Sequence, residues 1–248
     1  MLDRLLETRR THRKAPPPSP SIAVEAAYRI QDQLREALVA QGEQVIGWKA
    51  GLTARIAQES TGVHHPVSGF LLGEGVYATG DAVPLARFAE LAVEVELAFV
   101  MKRDVAGPGV TPATALLAVE GALPALELVE FRWEGKPAAG DLIADGVAAN
   151  AIVLGQPLTP VAGLDLALEG VVYEMNGQVM ATNTAAEVLG NPLNSLAWLA
   201  NHLGARGLSL RAGDVVMSGS ISALLRPKAG DVVTARFTRL GSVSARFS

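Results

Sequence analysis

The chain has 248 residues, 49% hydrophobic, 19% charged and 5% aromatic, with four histidines and no cysteine. A net charge of −4 offers no basic footprint for nucleic acid or an anionic membrane surface, and the lack of cysteine removes disulfides, thiolate nucleophiles, iron–sulfur clusters and Cys-ligated zinc. The apolar fraction supports a sizeable core, but no stretch reaches the roughly 18 apolar residues of a membrane span. Met1–Lys14 is basic, carries Asp3 and Glu7 and lacks the apolar segment of a secretory signal, so a soluble cytoplasmic protein is expected.

Residues 1–20 read as an N-terminal arm, a short polar helix followed by the stiff connector Ala15-Pro16-Pro17-Pro18-Ser19-Pro20. The remainder, 21–248, reads as a single domain, helical over 21–80 and β-rich over 81–248. Ser21 is the expected N-cap of a helix whose Ala23, Ala27, Ile30, Leu34 and Leu38 recur every three or four residues, with Gly42 as its stop. Val45–Thr53 is strand-like, with Lys49 between two glycines. Residues 63–81, rich in Gly, Pro and His, read as loop and short strands.

Residues 91–101 form the clearest strand. Alternation puts Val93, Val95, Leu97, Phe99 and Met101 on one face and Glu94, Glu96, Ala98 and Val100 on the other. Another apolar run, Leu123–Phe131, carries Glu127 as a lone charge in its middle. Further on, Asn191-Pro192 is a cap followed by a first-turn proline for a helix lined by Leu196, Ala200 and Leu203. Ala212-Gly213-Asp214-Val215-Val216 is echoed by Ala229-Gly230-Asp231-Val232-Val233, each a turn leading into a β-branched strand, and a hairpin around Leu240-Gly241-Ser242 ends the chain.

Glu94 and Glu96 lie about 6.5–7 Å apart at Cα on one strand face, given a rise of about 3.3 Å per residue. Two carboxylates on a largely apolar strand need a cation between them, unless they take up protons or lie on the exposed face of an edge strand. Glu127 could complete the set, or pair with Arg132. Carboxylates without His or Cys partners favour Mg²⁺ or Mn²⁺. Lys49 reads either as a desolvated ammonium with a lowered pKa, able to act as acid or base, or as a surface lysine at a strand end. His64 and His65 point opposite ways on an extended chain, so at most one faces a site.

Taken in order, Gly47-Trp48-Lys49-Ala50-Gly51-Leu52-Thr53, Glu94-Val95-Glu96-Leu97-Ala98-Phe99-Val100 and Pro124-Ala125-Leu126-Glu127-Leu128-Val129-Glu130-Phe131-Arg132 resemble the 2-keto-4-pentenoate hydratase and 4-oxalocrotonate decarboxylase family of the fumarylacetoacetate hydrolase superfamily. The resemblance continues through Ala144-Asp145, Leu189-Gly190-Asn191-Pro192, Ala197-Trp198-Leu199-Ala200, Ala212-Gly213-Asp214, Ser218-Gly219-Ser220 and Leu240-Gly241-Ser242-Val243, spanning about residues 22–248. It implies an α+β fold with a mixed β-sandwich or β-roll core and flanking helices. It implies that Glu94, Glu96 and Glu127 hold the divalent cation, that Lys49 is the catalytic acid/base, and that the segments of Leu52, Thr53, Ser218, Gly219 and Ser220 contact the substrate carboxylate.

The activity implied is hydration of 2-hydroxypenta-2,4-dienoate or a close analogue to a 4-hydroxy-2-oxo acid. Decarboxylation of a 4-oxalocrotonate-type acid is the first alternative, which Gly107-Pro108-Gly109-Val110-Thr111 resembles; acylpyruvate C–C hydrolysis and an inactive partner subunit are the others. A homo-oligomer, possible partnership with a related hydratase or decarboxylase, and no nucleic-acid or membrane partner are also expected. Two segments differ from the family pattern: Asp145-Gly146-Val147-Ala148-Ala149, where relatives have Asn and serines, and Pro66-Val67-Ser68-Gly69, where some hydratases have an acid after the proline.

Overall fold

Alternating apolar side chains along 91–101 make the central strand of a larger sheet in the computed structural model, which describes residues 1–248. In chain order the strands are β1 (Val45–Gly51), β2 (Val67–Leu72), β3 (Val76–Ala78), β4 (Ala82–Val83), β5 (Leu91–Met101) and β6 (Val119–Glu130). They continue with β7 (Ala149–Leu154), β8 (Gly170–Met175), β9 (Gln178–Thr184), β10 (Val215–Met217), β11 (Val232–Phe237) and β12 (Gly241–Phe247). A seven-stranded sheet runs β2-β1-β10-β5-β6-β7-β3, and a five-stranded sheet runs β4-β12-β11-β8-β9. Val93, Val95, Leu97 and Phe99 enter the core that both sheets share, while the opposite face of β5 carries Glu94 and Glu96. The expected mixed β architecture with flanking helices is the one observed.

The helices are α1 (Leu2–Thr11), α2 (Val24–Ala40), α3 (Arg55–Thr61), α4 (Pro112–Leu116), α5 (Ala139–Ala144) and α6 (Pro192–Gly204). None is long and apolar enough to cross a membrane. Helix α6 begins as its sequence predicts: the Asn191 side chain accepts from the Leu193 amide, Pro192 occupies the first turn, and Leu196, Ala200 and Leu203 are buried. Helix α2 starts two residues later than a cap at Ser21 predicts, with Ala23 in the cap position. The Ile22 amide donates to Asp141 Oδ1 and the Ile22 carbonyl lies against Gly140, so α5 holds this segment extended.

One expectation for the N-terminal third is corrected. The 21–80 portion is helical only over α2 and α3; the strand-like Val45–Thr53 and the short strands expected in 63–81 supply β1, β2 and β3 to the large sheet. The arm is tied to the domain, with Leu5 fully buried, and the connector's Ala15 exchanges backbone hydrogen bonds with Arg132 and Glu134 at 2.9 Å each.

The two Ala-Gly-Asp turns are built alike. Asp214 accepts from the Arg211 amide and Asp231 from the Lys228 amide, yet the strands they launch, β10 and β11, join different sheets. Strand β10 runs parallel to β1, with Gly47 opposite Val215, and a Cβ on Gly47 would sit 1.8 Å from the Val215 carbonyl oxygen. Gly47→Ala is therefore expected to destabilise the protein by about 3 kcal/mol or more, as overpacking against an immobile backbone does. Urea unfolding checks this as a lowered midpoint at unchanged m-value.

Candidate metal centre

Antiparallel pairing of β5 with β6 sets Glu94 directly opposite Glu127, and Glu96 follows on the same face of β5. One carboxylate oxygen from each of the three lies within 4.8 Å of the others. Strand β5 is fourth of seven, and Glu96 and Glu127 are 0% exposed, which removes the reading of Glu94 and Glu96 as the solvated face of an edge strand. Glu94 is partly accessible.

Lys49 joins the cluster from β1, with Nζ 3.0 Å from Glu127 Oε1. On a flat sheet β1 and β6 would be three strand spacings apart, about 14 Å, so the sheet has to curl for a lysine to span the gap. Lys49 is 2% exposed, which corrects the surface-lysine alternative. The expected lowering of its pKa is also overturned: burial does push it down, but the charges of Glu127, Glu94 and Glu96 outweigh burial and hold it above the ordinary lysine value. Arg132 is not the partner of Glu127. It lies instead between Glu130 at 2.8 Å and Asp145 at 3.1 Å, all three buried.

Lys49 Nζ also donates to the Val147 carbonyl at 3.2 Å. That carbonyl belongs to three successive left-handed residues, Gly146 (φ 82°), Val147 (φ 58°) and Ala148 (φ 58°). A β-branched residue in that region is an outlier, costing about 1–3 kcal/mol, and such outliers gather at functional sites. Sequence reading had singled out this run only for its departure from the family pattern. Its local signal was Asp145-Gly146, a turn former.

Beyond β10 the chain leaves the sheet at Ser218-Gly219-Ser220. The Gly219 amide donates to Glu96 Oε2 at 2.8 Å. Gly219 has φ 116°, and a Cβ there would lie 2.2 Å from Thr53 Oγ1, so glycine is what lets the Thr53 loop and the Ser218-Gly219-Ser220 turn meet beside Glu96. Ser218 Oγ is buried without a partner, whereas Ser220 Oγ turns back to donate to the Ser222 carbonyl at 2.9 Å. Leu52 is left-handed at φ 53°, and Thr53, buried, ends a surface cleft of about 440 Å³ also lined by Arg55, Gln58, Thr184 and Glu187. No histidine hydrogen-bonds to the three glutamates: His64 and His65 are exposed, and His65 Nδ1 sits 2.7 Å from the carbonyl of Pro66.

The donor set suits a hard divalent cation. Glu96 Oε1 and both Glu127 oxygens are buried without an aligned hydrogen-bond donor, a deficit that a cation bound by oxygens would fill. With all four groups ionised, one ammonium faces three carboxylates, leaving the double negative excess that such an ion neutralises. Burial pushes Glu94 up to about 7 and Glu96 well above the carboxylate range, opposed by Lys49 and, for Glu96, by the Gly219 amide.

Residues 37–248 match the fumarylacetoacetate (FAA) hydrolase C-terminal family. The 2-hydroxyhexa-2,4-dienoate hydratase of Comamonas testosteroni is 37% identical over 99% of this chain and 95% of its own length. The 2-hydroxypent-2,4-dienoate hydratase of Pseudomonas putida is 40% identical over 76% of this chain and 86% of its own. Among solved structures, the 4-oxalocrotonate decarboxylase of Pseudomonas putida G7, complexed with magnesium and adipate, superposes with a TM-score of 0.96 at 31% identity, covering 100% of this chain and 95% of that one.

Raised carboxyl pKa values give the metal-free protein a defined pH response. Protonated Glu94 contributes stability that is complete below about pH 4.5 and is lost as pH rises through about 7, where the unfolded chain is ionised and the buried group resists, and Glu96, raised by the same burial, acts in the same direction. A cation needs them ionised, so its binding expels protons. The gain in melting temperature on adding saturating Mg²⁺ should therefore be larger at pH 8 than at pH 6; scanning fluorimetry showing equal gains would contradict the site.

Proposed function

This chain belongs to the fumarylacetoacetate hydrolase family, and within it we propose that the protein is a divalent-metal-dependent hydro-lyase. It adds water to 2-hydroxypenta-2,4-dienoate or a close analogue and yields a 4-hydroxy-2-oxo acid, in the breakdown of ring-cleaved aromatic compounds. The observation that carries this reading is the buried cluster of Glu94, Glu96 and Glu127 with Lys49 against it, oxygens unsatisfied, in a chain whose hydratase relatives match it over most of its length.

Glu94, Glu96 and Glu127 are the ligands we assign to Mg²⁺ or Mn²⁺. The bound ion supplies Lewis acidity toward the substrate's carboxylate and 2-oxygen. Lys49, held as an ammonium by the glutamates, starts as a proton donor. It delivers a proton to C5 of the dienoate while the 2-hydroxyl proton is lost, giving the conjugated 2-oxo acid. Water oxygen then adds to C4 and a proton reaches C3, with the lysine amine available to relay it. Ser218 Oγ, unpartnered and next to Gly219, and the Leu52-Thr53 turn are the groups we assign to the substrate carboxylate. The lack of a histidine on the cluster leaves no built-in His–Glu pair for hydrolytic water. A homo-oligomer in the cytoplasm belongs to the same reading.

Decarboxylation of a 4-oxalocrotonate-type acid is the second reading, favoured by the close superposition on such an enzyme. The same electron sink serves both reactions, and the fate of the distal carboxylate distinguishes them: in decarboxylation it leaves as CO₂ and its bonding electrons pass to the C2 oxygen, whereas C1 is kept in both. Spectrophotometric assays with 2-hydroxypenta-2,4-dienoate and 4-oxalocrotonate in parallel, with Mg²⁺ and with EDTA, are expected to show Mg²⁺-dependent loss of the dienoate without CO₂ release. CO₂ from the oxalocrotonate alone would install the second reading. Glu96→Gln should lower kcat/KM by about 10³-fold or more and weaken Mg²⁺ binding. Lys49→Met should lower kcat by about 10²–10⁴-fold while Mg²⁺ still binds by calorimetry.

A further inference from the structure

The carbonyl that orients Lys49 sits on strained backbone, and strain of this kind persists only where the surroundings over-determine it. Two guanidinium groups do so here. From the domain itself, Arg132 Nη2 donates to the Ala149 carbonyl at 3.0 Å and Nη1 to the Asp145 carboxylate at 3.1 Å. From α1, Arg9 Nη2 donates to the Asp145 carbonyl at 2.7 Å and to the Ala149 carbonyl at 3.4 Å, and lies 3.8 Å from Asp145 Oδ1. The residues on either side of Gly146-Val147-Ala148 are thus clamped by cations.

Arg9 is well placed to be more than a surface charge. Its side chain is 12% exposed, its guanidinium lies over the Phe70 ring at 5.6 Å, and a Cβ on Gly146 would come 3.3 Å from its Nη2. Phe70 neighbours Gly69, which pairs with Lys49 across β1 and β2. Arg9 lies before residues 37–248, the part that matches the family model, on a segment that falls within the superposition on the decarboxylase structure. The N-terminal arm therefore reaches the turn beneath the site's lysine.

We propose that Arg9 is a positioning residue: it fixes the left-handed turn at 146–148 so that the Val147 carbonyl keeps the Lys49 ammonium aimed at the substrate. This rests on the reading of Lys49 as the proton-transfer group. Without Arg9 the Asp145 carbonyl loses its donor and the turn can relax, displacing the Val147 oxygen while the three glutamates, anchored on β5 and β6, stay in place. Both carbonyls are reached by one nitrogen, Nη2, so a lysine ammonium brought to the same place can replace part of the clamp.

The test uses the full-length, Mg²⁺-loaded protein as wild type, Arg9→Met, Arg9→Lys and, as a control on the exposed face of α1, Arg10→Ala. Arg9→Met should lower kcat by about 100-fold, the scale of a misplacement of about 1 Å. KM and the Mg²⁺ dissociation constant should change by no more than about threefold, since substrate and metal binding do not pass through the turn. Amide hydrogen exchange should quicken across 141–150 and stay unchanged in β8 and β9. Arg9→Lys should recover part of the lost kcat, and Arg10→Ala should match wild type. A folded Arg9→Met with wild-type kcat, or unchanged exchange at 141–150, overturns the proposal. So does a kcat loss that merely follows a global rise in exchange and is not eased by Arg9→Lys. If the wild type turns over neither acid, the functional reading fails, while the exchange measurement still decides whether Arg9 holds the turn.

Discussion

Three carboxylates and one ammonium share a site from which water is nearly excluded, and much of the surrounding structure can be understood as a response to that crowding. In a low dielectric the mutual repulsion of Glu94, Glu96 and Glu127 is strong, and one lysine does not cancel it. Backbone geometry supplies what partial compensation there is. The Gly219 amide reaches Glu96 because glycine permits close contact with Thr53, and the curl of the sheet carries Lys49 to Glu127. Burial favours the protonated forms of Glu94 and Glu96, and a divalent ion in their midst would exchange those protons for coordination.

A second buried ion cluster lies beside the first and follows the opposite rule. Glu130, Arg132, Asp145 and Arg9 alternate in sign and are richly hydrogen-bonded, and the arginines keep Glu130 below its ordinary pKa although burial alone would raise it. Burial does lift Asp145 against the same arginines. A balanced cluster braces backbone, while an unbalanced one has capacity left for a ligand. The contrast between neighbours of similar burial is a physical reason to locate chemistry at the glutamates and not at the arginines.

Much of the site was legible in the sequence. Alternation alone put Glu94 and Glu96 on one face opposite an apolar one, and Glu127 stood out as a charge inside an apolar run; their register opposite each other required the pairing of β5 with β6. The correct setting of Lys49 was legible only in part, because its pKa depends on charges brought from strands 45 and more residues away in sequence. The left-handed turn at 146–148 and the role of Arg9 left almost no trace. Valine and alanine have no local preference for that conformation, and an arginine on a polar helix looks like every solvated arginine until tertiary structure buries it. The Ser21 cap failed for a similar reason, since Asp141 claims the Ile22 amide from far along the chain.

Strand β10, three residues from the last third of the chain, lies between β1 and β5. During synthesis the N-terminal strands therefore wait beside an open slot until residues 215–217 have left the ribosome, with the edges of β1 and β5 unpaired in the meantime. The three glutamates are all synthesised by residue 127, but the amide that reaches Glu96 arrives only at residue 219. Closure of the sheet and arrival of the Gly219 amide at Glu96 thus both wait on the last third of the chain.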